Sequence, residues 1–116
     1  MTATTILHEA EVELWAAVEY YEARSPGLGF DFQVEIEGSV RVISQSPDRW
    51  PVRDDGTRRF LTHRFPYGVV YVLLPHHIWF IAFAHCKRRP QYWSERIRKA
   101  EAGQRPVAPG VSIRGL

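Results

Sequence analysis

Tyr67-Gly68-Val69-Val70-Tyr71-Val72-Leu73-Leu74, then Pro75-His76-His77, then Ile78-Trp79-Phe80-Ile81-Ala82-Phe83-Ala84 is the stretch on which the fold turns. Two runs rich in β-branched and aromatic residues flank a proline-led turn, the pattern of two antiparallel strands. Neither run alternates cleanly between apolar and polar. Both faces of both strands are therefore buried, which places them centrally in a sheet. Upstream, Thr57 to Phe65 reads as a third strand, separated by the short link around Pro66. Three strands in succession make an antiparallel meander.

Further upstream the period changes from two to 3.6. Ala10, Leu14, Ala17, Val18 and Tyr21 fall on one stripe of a helix over residues 8–24, with Glu9 and Glu11 in the first turn, where the helix dipole favours negative charge. Glu9, Glu13 and Glu19 lie mainly off that stripe and read as a solvent face. Ser25-Pro26 reads as a cap and first position of a second helix, which runs to about Ser44–Ser46 before Pro47. Leu28, Phe32, Ile36, Val40 and Ile43 form its apolar stripe. Gly38 costs roughly 1 kcal/mol mid-helix, and a close helix–helix contact is the expected reason for it. The short link makes the two helices an antiparallel hairpin.

Asp48–Gly56 reads as a loop, Thr4–Leu7 as a short strand, and Tyr92–Ala102 as a short helix after Pro90. The expected class is α+β: a helical hairpin packed on a small antiparallel sheet of three main strands, with a short N-terminal strand and a short C-terminal helix. Residues 1–102 form one domain. Residues 103–116 turn to Pro, Gly and Val without periodicity and read as a flexible tail.

Composition bounds the function. The 116 residues are 45% hydrophobic and 24% charged, which excludes a wholly disordered chain. No apolar run is long enough to span a bilayer. The first residues show no secretory pattern, and the single Cys86 suits a reducing compartment, so a cytoplasmic location is expected. Net charge is +2, unevenly spread. Residues 1–48 hold nine acidic groups against Arg24 and Arg41, a net −7, and residues 49–116 carry a net +9. Such a split suits two different partner surfaces, or simply Glu-rich helices beside Arg-rich strands.

The basic groups form two windows. Arg58, Arg59 and Arg64 belong to the first strand of the meander, where strand period sets Arg58 and Arg64 on one face and Arg59 and His63 on the other. Lys87, Arg88 and Arg89 follow the last strand, with Tyr92 and Trp93 interleaved and Arg96, Arg98 and Lys99 beyond. Basic groups beside aromatic rings suit phosphate contact with base stacking, or an acidic protein partner. His85, at the strand end, reads either as a general base or as a structural histidine, and spacing alone favours the second. His63, His76, His77, His85 and Cys86 lack the spacing of a zinc module, so no metal or other cofactor is expected. Glu35 and Glu37 point to different sides of their helix and are not a catalytic pair.

In order along the chain, Ala10-Glu11-Val12-Glu13-Leu14, Tyr20-Tyr21-Glu22, Ser25-Pro26-Gly27-Leu28-Gly29, Ser46-Pro47-Asp48-Arg49-Trp50-Pro51, Arg58, Arg64-Phe65-Pro66-Tyr67-Gly68, Tyr71, and His85 with Arg88-Arg89-Pro90-Gln91-Tyr92-Trp93 resemble the RelE/ParE superfamily of bacterial toxins. The resemblance covers roughly residues 6–96. It implies a strand–helix–helix–three-strand fold and a small growth-inhibiting toxin of a type II toxin–antitoxin system, with a cognate antitoxin as partner. Antitoxins of the family lay a tail across the toxin, and an apolar groove between hairpin and sheet with a basic rim fits an acidic amphipathic segment.

Two activities occur in the superfamily. ParE-like members, on the plasmid-stabilisation side, act by contact with DNA gyrase. RelE-like members are metal-independent endoribonucleases that cut mRNA on the ribosome. Several nuclease members carry an arginine where this chain has Gly68, which favours the ParE-like reading; in the nuclease alternative Arg64 or Arg58 substitutes for it from a neighbouring position. For protein contact the resemblance and the basic windows nominate Arg58, Arg59, Arg64, Lys87, Arg88, Arg89 and Trp93. For the nuclease alternative the candidates are Arg58, Arg64, His85, Arg88 and Tyr92. A third reading is a non-toxic member kept as a binding module.

Overall fold

The computed structural model describes residues 3–103. The expected tail lies outside them, apart from Gly103. The elements in chain order are β1 (Ala3–Ile6), α1 (His8–Arg24), α2 (Leu28–Gln45), β2 (Arg58–Leu61), β3 (Tyr67–Leu74), β4 (His77–His85) and α3 (Ser94–Glu101). No helix among the described residues is long and apolar enough to cross a membrane.

The four strands form one sheet in the order β1-β4-β3-β2. The two strands without clean alternation, β3 and β4, are indeed its central pair. β1 lies beside β4 in parallel, Ala3 opposite His77 and Ile6 opposite Phe80, so the sheet is mixed rather than antiparallel throughout. Parallel pairing needs a long crossover, and the two helices and the meander between β1 and β4 supply it. Ile81 is an extra residue in the β3–β4 ladder, because Val70 pairs with Ala82 while Tyr71 pairs with Phe80.

The helical hairpin covers one face of the sheet. Leu14, Phe32, Ile36 and Ile43 pack there against Val69, Tyr71, Ile78, Phe80 and Phe83. This interface is closed core, so the expected open groove between hairpin and sheet is absent from its middle. The second face is covered by the segment after β4. Trp93 and Leu7 pack there with Val70, Ile81, Ala82 and Ala84, and Trp93 Nε1 donates to Asp55 Oδ2 at 3.1 Å. Burial alone would raise the Asp55 carboxyl, but bonds from Thr57 and Trp93 hold it below the usual range.

Three local expectations are corrected. Ser25 does not cap α2. The N-cap is Gly27 at φ +87°, and Glu22, from the last turn of α1, accepts from the backbone N–H of Gly27 at 2.9 Å and of Gly29 at 3.0 Å. Gly38 is not the point of close approach either: a Cβ there would meet only Arg41 Nη2, at 3.8 Å. Gly29 is that point, where a Cβ would come within 2.5 Å of Val18 O. β2 also stops at Leu61, so His63 and Arg64 lie in the loop before β3 and do not share strand faces with Arg59 and Arg58. That loop is held by Glu35, which accepts from His63 N at 2.9 Å.

Candidate functional site

β1 is shorter than β4, and this shapes the site. Its pairing ends at Ile6–Phe80, and Leu7 N still reaches Phe80 O at 3.0 Å. Beyond that point the outer edge of β4 has no strand beside it among the described residues. Side chains take over the ladder. Phe83 N donates to Glu13 Oε1 at 3.1 Å, and Arg96 Nη1 donates to Ile81 O at 3.1 Å. Glu13 and Arg96 also grip each other in a two-pronged pair, at 2.9 Å and 2.8 Å. The Tyr92 hydroxyl donates to the same carboxylate. One acidic side chain of α1 thus ties down the edge of β4, the aromatic Tyr92 and the helix α3.

A cavity of about 290 Å³ opens beside this knot. Glu13, Ala16, Ala17 and Tyr20 of α1 form one side. Tyr67, Phe83, His85, Arg88 and Tyr92 form the other. The Tyr67 and His85 rings meet edge to face with centroids 5.1 Å apart. Arg88 lies over the Tyr92 ring, 4.0 Å from its centroid, a cation–π contact. The His85 Nδ1 accepts the backbone N–H of Lys87 at 3.0 Å, which leaves the proton of the neutral ring on Nε2.

The tyrosines here are held neutral. Burial pushes Tyr67 up to about 12, with the neighbouring Tyr21 and Glu13 adding to it. Burial and the bond to Glu13 raise Tyr92 further still. Across the core, burial also pushes Tyr71 to about 12, its hydroxyl donating to Pro47 O at 2.6 Å. These pKa values lie above the ordinary 10.0, so the stabilisation from the protonated hydroxyls is complete below pH ~10 and is lost as pH rises towards ~12. Ultraviolet titration is expected to show phenolate forming late, together with a fall in denaturant midpoint across that window. Phenolate formation by all tyrosines at the ordinary value would refute the expectation.

The structure brings His85, Arg88 and Tyr92 together and keeps the other candidates elsewhere. Arg58 faces the loop after α2 and donates through Nη1 to Trp50 O at 2.7 Å and Asp48 O at 3.1 Å. It stands opposite Tyr71, whereas His85 stands opposite Tyr67, four residues along β3. Arg64 is exposed and paired with Asp31 at 3.1 Å. Lys87 and Arg89 are exposed beside Arg88. Trp93, nominated as a contact residue, is instead 4% exposed and belongs to the core of the second face.

Arg59 holds a place that neither Arg58 nor Arg64 reaches. Its side chain crosses β3 over Gly68, where a Cβ would lie 2.6 Å from Arg59 Nε. Its Nη2 points to Cys86 Sγ at 3.8 Å. The position that lacks an arginine on β3 is thus overlaid by one from β2.

Glu13, Tyr20 and Tyr67 escaped notice as site residues. Glu13 reads as solvent face because it is charged, yet its side chain is only 15% exposed. The available signal was its place between Ala10 and Ala17, at the border of the buried stripe.

No family model matches the sequence, and no curated protein matches it. A solved structure does. A chain of the "Chromosomal ParDE TA system from P. aeruginosa" superposes with a TM-score of 0.67 at 16% identity, over 75% of this chain and 98% of that one. The chain shares the fold of that structure. Within this fold, the knot around Glu13 and the cavity beside it lie where α1, the end of β4 and the segment before α3 converge.

Proposed function

We propose that this chain is the toxin of a type II toxin–antitoxin system, ParE-like, acting in the cytoplasm by protein contact with DNA gyrase and neutralised by a cognate antitoxin. The observation that carries the reading is the correspondence over 98% of a chain from a ParDE system. The dispersal of the nuclease candidates supports contact over catalysis. Arg58 is committed to loop carbonyls, Arg64 to Asp31, and the Tyr92 hydroxyl to Glu13. A tyrosine held protonated, with its hydroxyl already donating to a carboxylate, is a poor proton shuttle.

Purified protein is expected to inhibit gyrase supercoiling or to trap its cleavage complex, and induced expression to arrest growth. Neither gyrase effect at stoichiometric excess would remove gyrase from the reading. Growth without arrest would leave the non-toxic binding module. The ribosome-dependent endoribonuclease has one observation in its favour, the shared cavity of His85, Arg88 and Tyr92. Primer extension on ribosome-bound mRNA separates it: cuts in the A-site codon would favour it, and intact message during arrest would end it.

A further inference from the structure

We propose that the outer face of α2 is a self-association surface on which a second copy of this chain docks, the two α2 helices crossing at Gly38. The proposal is independent of the gyrase reading and of the cavity beside Glu13. Phe30, Val34, Gly38 and Val42 follow one another at four-residue spacing, along one row of the helix. Phe32, Ile36, Val40 and Ile43 take the opposite face into the core, so the row points away from the sheet. Phe30 is 65% exposed, Val34 43% and Val42 40%. The solvent face of a helix is ordinarily polar, and three large apolar groups in one row mark a contact surface. Gly38 is the part of the row that the folded chain does not explain. It forfeits helix stability in mid-helix, yet a Cβ there would meet only Arg41 Nη2, at 3.8 Å. A gap in a ridge of side chains is where the ridge of another helix crosses closely.

Self-complementarity selects the occupant. A two-fold axis directed along the row brings each valine beside its own counterpart, as an isologous contact requires. Arg41 stands three residues after Gly38 and Glu35 three before it, on opposite sides of the row. The same axis carries Arg41 of each copy over Glu35 of the other, so one contact forms two ion pairs. Both groups are available for it. Arg41 is exposed and has no ion pair among the described residues, and Glu37, one turn back, accepts from Gln33 Nε2 at 2.9 Å. Glu35 uses Oε2 for the N–H of His63 at 2.9 Å and leaves Oε1 for a further donor. On the Glu35 side α2 also borders a cavity of about 330 Å³, walled across from the helix by Phe60 and His63, and the arriving Arg41 and Val42 enter there.

Other occupants fit less well. Asp31, Glu35 and Glu37 share α2 with Arg41 as its one basic residue, which disfavours nucleic acid, an anionic membrane and an acidic peptide alike. Residues 104–116 carry apolar groups with Arg105 and Arg114, but no acidic residue to meet Arg41.

The test is sedimentation velocity of the full chain over a concentration series. A reversible dimer is expected, dissociating in the micromolar range as befits a contact smaller than a standard interface. Val34→Glu should weaken it at least about tenfold. Gly38→Ala should weaken it several-fold while raising the urea midpoint of the dilute monomer, two opposite shifts that a purely structural glycine would not give. Leu61→Glu should leave the dimer unchanged, because Leu61, 58% exposed, lies next to Phe60 in β2 and so points to the other face of the sheet. Arg41→Glu and Glu35→Arg should each associate poorly alone, and their equimolar mixture should recover the association, since the mixed dimer restores both ion pairs.

A chain that stays monomeric up to its solubility limit overturns the proposal. If such a monomer dimerises only when Ile113→Glu is introduced, it is overturned in favour of the chain's own C-terminal segment as the occupant of the row. A dimer that Leu61→Glu dissolves and Val34→Glu spares overturns it in favour of a contact through the sheet. A mixture of the two charge variants that associates no better than its components overturns the crossing at Gly38.

Discussion

Glu13→Ala is expected to destabilise the fold by about 3–5 kcal/mol, measured by urea unfolding with far-ultraviolet circular dichroism. The pair it breaks is largely out of water, with side-chain exposures of 16% for Arg96 and 15% for Glu13. Removing the carboxylate leaves the Arg96 guanidinium without its counter-charge, the Tyr92 hydroxyl without its acceptor and the Phe83 N–H without a partner. Burying such groups unpaired costs far more than the pair itself contributes. A double replacement, Glu13→Leu with Arg96→Met, should therefore recover a large part of the loss. A cost below about 1 kcal/mol for Glu13→Ala would mean that water replaces the carboxylate and that the knot is peripheral.

Gly29→Ala is expected to cost about 3 kcal/mol. The obstacle is backbone, Val18 O at 2.5 Å, with Glu22 Cβ at 2.9 Å, and a main-chain carbonyl inside α1 cannot swing aside as a side chain would. Parting the helices to admit the methyl group would also pull Glu22 from the N–H groups of Gly27 and Gly29. Gly38→Ala is the control. It adds a methyl group to open space and should gain about 0.5–1 kcal/mol from helix propensity. Equal effects at the two glycines would contradict the packing described above.

These two glycines show where sequence reading reaches and where it stops. The helices, both stripes, the hairpin of β3 and β4 and the α+β class were legible, because burial leaves a periodic trace along the chain. Which glycine meets the facing helix is a matter of three-dimensional approach, and a helical glycine looks the same from either side of the question. The parallel seat of β1 was likewise invisible, since four residues carry no mark of their partner.

The site divides in the same way. His85, Arg88 and Tyr92 were nominated by charge beside aromatics and do share a cavity. Trp93 was nominated by the same signal and is core, because an indole serves either purpose. Glu13 was passed over because a glutamate at the border of a stripe reads as solvated until its three partners, Phe83, Tyr92 and Arg96, are seen. Those partners lie 70 to 83 positions away along the chain.

The pairing of β1 with β4 has a consequence for how the molecule comes into being. Ala3–Ile6 finds its seat only on residues 77–80, so the first of the described strands waits for the last of them. The hairpin of α1 and α2 can form early from contacts near in sequence, but the sheet closes late, after a long loop has been ordered. Until β4 has been synthesised, β1 has no rail to lie on and Glu13 has nothing to hold. A chain not yet extended to Arg96 thus lacks both the closed sheet and the knot that braces the cavity.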